Sequence, residues 1–185
     1  MNGFGANQVA DAIVSRERTL TDPSGPVAFV LHWHARMSAG YTGQAWRLLT
    51  PELRRATAHD FLASLGLEVG PGLDALSGLD LVHKLAGEML AGMLAWWRST
   101  PVGRDWPQVG WATSPRPLDV EHEVVLLTDA TWSRPSGWVG DEPSHVPEGV
   151  DLGHVHPFIV RRTADGWLLA SVTHELPERI ESWRK

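Results

Sequence analysis

Two hydrophobic periods divide this chain. Up to about residue 100, apolar positions recur every three or four residues, as in helices with one buried face. Beyond it they alternate or run together, as strands do. Val9, Ile13 and Leu20 predict a short helix over residues 8 to 20, ended by Asp22-Pro23-Ser24-Gly25-Pro26. A second helix is expected from Val27 to about Ala39, with Val30, Trp33 and Met37 on one face and Gly40 as its stop. Gln44 to Leu49 reads as a short helical turn. Thr50-Pro51-Glu52 restarts the helix, because threonine caps an N-terminus and proline suits the first helical position. That helix should bury Leu53, Ala58, Phe61, Leu62 and Leu65 and stop at Gly66. After Gly70-Pro71-Gly72, residues 74 to 98 form the longest expected helix. Leu81, Val82, Leu85, Met89, Met93 and Trp96 face inward on it, and Lys84 pairs with Glu88 one turn on.

Val109 to Thr113 and Val120 to Trp132 are the first expected strands. Val124 to Leu127 is apolar on both faces, which implies cover on both sides of a sheet. Residues 133 to 152 read as a Gly/Pro/Ser-rich loop carrying Trp138 and His145; a loop of that length is either functional or disordered. His154 to His174 then reads as a hairpin. A three-residue Ala164-Asp165-Gly166 loop would set Thr163 opposite Trp167, Arg162 opposite Leu168, Val160 opposite Ala170 and Phe158 opposite Val172. One step further His156 faces His174, with His154 on the same face. Ile159, Trp167 and Leu169 point outward in this register, toward a face that suits a second copy of the chain. Leu176 to Trp183 closes as a short helix. Helices followed by strands make an α+β layout, expected as three to four helices on a curved four-stranded antiparallel sheet.

Length and composition predict one domain over residues 1–185, with an N-terminal extension at 1–25, a core at 26–175 and a tail at 176–185. A net charge of -6 argues against a general nucleic-acid binder, and Arg54-Arg55 and Arg161-Arg162 read as solvated or paired surface. The chain has no cysteine, which excludes disulfides, thiolate catalysis and cysteine-ligated zinc. No secretory signal or membrane-length apolar run is visible, so a cytoplasmic protein without a membrane partner is the expectation. Ten tryptophans are unusual. They line pockets in some proteins, and in most they fill a wide core, each keeping one N–H that wants an acceptor.

Ala45-Trp46-Arg47-Leu48-Leu49-Thr50-Pro51-Glu52-Leu53-Arg54 resembles the second-helix region of the nuclear transport factor 2-like superfamily. Phe158 to Val172, with its Asp165-Gly166-Trp167 turn, is similar to that superfamily's last hairpin, so the resemblance spans residues 26 to 175. It implies a cone whose mouth is lined by helices and a concave sheet, with an internal pocket and often a dimer. Isomerases, dehydratases, polyketide cyclases and non-catalytic binding domains share that shape, so it implies a fold more than a function.

Ligand-binding candidates are Trp33, Trp46, Met89, Trp111, Phe158, Val160 and Val172, with His156 and His174 as polar groups that orient a small apolar ligand. The catalytic alternative, an acid/base isomerase, dehydratase or cyclase, needs a titrating group in an apolar pocket; His122 and Asp129 are the candidates. They have opposite strand parity, so both face a pocket only across a bulge. His154, His156 and His174 could hold a transition metal, although such His-x-His spacing also arises by chance at a surface. His32 and His34 lie about 200° apart on a helix and cannot share one ion. No metal and no cofactor is therefore assigned. A third reading is an interaction module with a filled core, docking through the outer sheet.

Overall fold

Proline begins four helices in the computed structural model, which describes residues 24–104, 111–112, 116–128 and 155–172. They are α1 (Pro26–Ser38), α3 (Pro51–Ser64), α4 (Pro71–Ser77) and α6 (Pro101–Arg104); α2 (Thr42–Arg47) and α5 (Ala86–Ser99) complete the helical half. A proline at the first position loses no hydrogen bond, since that N–H has no helical partner. The Thr50 hydroxyl caps α3 by accepting from Leu53 N at 3.2 Å. Thr100 does the same for α6, accepting from Gly103 N at 3.0 Å. The expected elements at residues 8 to 20, 133 to 152 and 176 to 183 lie outside the described residues.

The strands are β1 (Trp111–Ala112), β2 (Arg116–Pro117), β3 (His122–Thr128), β4 (Val155–Thr163) and β5 (Gly166–Val172). Three long antiparallel strands, β3, β4 and β5, make the sheet; β1 and β2 are short pieces along the outer edge of β3. The layout is α+β. The far edge of β5 is covered by the chain between α2 and α3. Thr50 N donates to Leu169 O and Leu169 N to Leu48 O, both at 2.8 Å, a short parallel bridge. The two segments that carry the family resemblance are thus hydrogen-bonded to each other.

Helices cover one sheet face. Val30, Trp33 and Met37 of α1, Met89 and Trp97 of α5, and Val125, Leu127, Phe158, Val160 and Leu169 of the sheet share one buried core. Val124 and Leu126 point from the opposite face of β3 and are also buried within the single chain. The sheet face proposed for a second copy is therefore partly covered already.

The structure corrects several expectations. Residues 74 to 98 are not one helix: α4 ends at Ser77, and α5 begins at Ala86. The break follows from Gly78, whose extended backbone (φ -65°, ψ 166°) leaves the helical path, and from Leu81, held at φ 49°. The carbonyls at the end of α4 are taken by side chains instead, Arg54 Nε to Ser77 O and Trp46 Nε1 to Gly78 O, each at 3.0 Å. Val82, expected inward, is 80% exposed in this break, and Lys84 precedes the helix that holds Glu88. Leu65 is 43% exposed because α3 has already ended at Ser64. Arg54, read as surface, is buried and also donates to Leu49 O at 2.7 Å; Arg55 remains outside, paired with Asp74 at 2.6 Å.

The hairpin reaches the expected far register by another route. Thr163 pairs with Gly166, and only Ala164 and Asp165 lie between them. Gly166 takes φ +123°, a conformation that side chains disfavour. Val160 therefore faces Leu169 rather than Ala170, and a bulge then restores Phe158 opposite Val172. Leu169 and Trp167 turn toward the helices as a result. Leu169 is fully buried, and the indole of Trp167 donates to Ser24 O at 3.0 Å.

Candidate functional site

A half-open cleft of about 400 Å³ lies where α1, α3 and α5 meet the end of β5. Trp33 and Leu49 contribute to its lining, as do Leu53 and Phe61 from α3, Met89, Met93 and Trp96 from α5, and Val172 from β5. The α3 residues fall at the helical spacing that puts them on one side. Gly92 thins the α5 wall between Met89 and Met93, and a Cβ added there would meet nothing within 4 Å. Besides tryptophan N–H groups, Thr57 and Asp60 are the polar side chains in the lining among the described residues. The Thr57 hydroxyl is spent on Leu53 O at 2.8 Å, and the carboxylate of Asp60 is largely solvated beside His59.

Trp33 is held rigidly. Its ring meets Trp97 edge-on at 5.0 Å and Phe158 at 5.9 Å between centroids, T-shaped geometries that aromatic quadrupoles favour. The residue is 1% exposed, and its indole N–H has no acceptor among the described residues. Most buried donors find one.

One turn of the same helix handles its other polar residue differently. His34 Nε2–H donates to Val102 O at 3.1 Å, and the Ser38 hydroxyl lies 3.5 Å from His34 Nδ1. A carbonyl can only accept, so Nε2 carries a proton. Trp97 stacks edge-on at 5.0 Å, and its own N–H reaches Ser38 Oγ at 3.5 Å. Burial pushes the His34 pKa down to about 4, opposed by the Val102 hydrogen bond and helped by the nearby His156. His156, on the helix-facing side of β4 opposite Leu127, is buried with it. The His-x-His pattern therefore splits: His34 goes inside, while His32 is exposed and accepts from Arg36 Nη1 at 2.8 Å.

Of the ligand-binding candidates, Trp33, Met89 and Val172 line the cleft. Phe158 and Val160 lie in the core behind it, Trp46 is locked on Gly78 O, and His156 sits with His34. The side chain of Trp111, and His154, His174 and Asp129 entirely, lie outside the described residues. His122 is not in the cleft lining. It begins β3 opposite Arg161 and pairs with Asp119 at 3.0 Å, while Asp119 Oδ1 also takes the backbone N–H groups of Glu121 and His122 at 2.8 Å. Those hydrogen bonds, the one from Glu121 N foremost, hold the Asp119 carboxyl below its usual range. No group of three or more metal-ligating side chains occurs among the described residues.

Sequence reasoning missed Phe61, Met93, Trp96 and Gly92 as one wall. Their helical spacing was visible, but which face of α5 looks toward α3 depends on the break at Gly78. It also missed His34, whose only sequence signal was its position one residue after Trp33 on an apolar helix. No family model, curated protein or solved structure matches this chain.

Proposed function

We propose that this chain binds one small, largely apolar molecule in the cleft between α1, α3 and α5. The observation that carries this reading is the lining itself: a space of about 400 Å³ walled by tryptophan, phenylalanine, leucine and methionine, with the Thr57 hydroxyl spent and the Asp60 carboxylate solvated. Small-molecule sites have this size and balance. Two methionines give the wall an adaptable surface. The finer architecture belongs to the same proposal: a cone of the nuclear transport factor 2-like kind, cytoplasmic, paired with a second copy through its outer sheet. Acid/base catalysis has less support, since His122 is engaged by Asp119 away from the cleft lining.

The test is saturable binding of Nile red, a neutral dye whose emission moves to the blue in apolar surroundings. The expected result is one site per chain, lost in Gly92→Leu, which fills the cleft without meeting another atom at Cβ. Dye that stays in water with the wild-type protein, or binds equally to the filled variant, rejects the reading.

A further inference from the structure

Trp33 separates two kinds of apolar ligand. Its indole N–H is buried, has no acceptor among the described residues, and belongs to a residue that lines the cleft. Trp97 and Phe158 pack against its ring edge-on, at 5.0 and 5.9 Å between centroids. A buried donor without an acceptor loses its hydration and receives nothing back. Resting on the cleft reading above, we infer that the ligand supplies the missing acceptor. It is a small neutral molecule with an apolar body and a carbonyl, ether or ring nitrogen at the end that reaches Trp33. Charge narrows the class further. Among the described residues Asp60 is the one charged residue in the lining, and no arginine or lysine among them lines the cleft to receive a carboxylate. Fatty acids and aromatic acids are therefore disfavoured relative to ketones, esters or lactones of similar size.

Trp33 is a specificity-determining residue on this account. A site built to donate one hydrogen bond rejects an isostere without the acceptor, because binding the isostere seals the donor in.

Three probes of one shape test this by calorimetry: 2-acetylnaphthalene, its isostere 2-isopropenylnaphthalene, which replaces the carbonyl oxygen by a methylene, and 2-naphthoate. The ketone is expected to bind about tenfold tighter than the alkene, the scale of one buried hydrogen bond. Naphthoate should bind more weakly than the ketone. In Trp33→Phe the ketone-to-alkene ratio should fall to about one. The wild-type protein supplies an independent readout if that variant does not fold. The Trp33 indole proton should move downfield in nitrogen–proton correlation spectra with the ketone and not with the alkene.

Equal binding of ketone and alkene overturns the inference and leaves the cleft reading standing. Binding of none of the three removes both. A Trp33 indole proton already at the downfield shift of a hydrogen-bonded indole in the free protein also overturns the inference, since its acceptor would then come from the chain itself. Preference for naphthoate overturns the neutral class.

Discussion

Trp33 and His34 follow one another on α1, both buried, and the fold treats their polar atoms differently. His34 sits in a closed network, donating to Val102 O and lying within 3.5 Å of Ser38 Oγ, with Trp97 across its face. Trp33 sits beside open space with a donor that has no acceptor among the described residues. A satisfied buried polar group specifies structure, because breaking it strands a partner. An unsatisfied one beside a cleft is a vacancy for something else. The difference separates a scaffold region, where α1, α5, α6 and β4 meet, from a region where α1, α3 and α5 stand apart.

The largest expected effect breaks the scaffold side. His34→Ala leaves the Val102 carbonyl without its donor and a void against Trp97. It should cost about 3 kcal/mol in urea unfolding, with Nile red binding kept wherever the variant is folded. Lost dye binding with unchanged stability would reverse the two roles.

Acid should act on the same side. The folded His34 titrates near 4, below its ordinary 6.5, so between those values the unfolded chain binds the extra proton. The contribution of His34 is complete above pH 6.5 and lost as pH falls toward 4, up to about 3 kcal/mol over the window. His156, facing His34 from β4, opposes the same protonation. Comparing unfolding of wild type and His34→Gln at pH 7 and pH 5 isolates the effect; parallel losses in both proteins would refute it.

On the cleft side the stability changes should be smaller. Trp33→Phe removes an unpaired donor together with some ring volume, so its cost should stay near 1 kcal/mol. A cost equal to that of His34→Ala would mean that the indole N–H is satisfied after all. Gly92→Leu should be smaller still and of opposite sign, a gain of about 0.5 kcal/mol from helix propensity, while removing dye binding. Thermal unfolding of the four proteins in parallel ranks these effects.

Local chemistry along the chain was legible where it needed only near neighbours. The Thr50-Pro51 cap, the inward face of Val30, Trp33 and Met37, and the eventual pairing of Phe158 with Val172 all follow from sequence. The same cap at Thr100-Pro101 is equally legible. Helix starts and strand parity depend on dihedral preferences and spacing, which a sequence carries directly. The break after Ser77 is different. It is stabilised by Arg54 and Trp46, which reach back from α3 and α2 to cap carbonyls 23 and 32 residues away. The turn at Ala164-Asp165 and the bulge beyond it are different too. Neither alone shows whether Leu169 faces helices or solvent; its bonds to Leu48 and Thr50 fix that. The cleft belongs to this second kind, because its walls come from α1, α3, α5 and β5, and a cavity is a property of how elements stand together. Sequence determined which residues could be buried and polar at once. Tertiary packing alone decided that His34 would find its partners and that the indole of Trp33 would not.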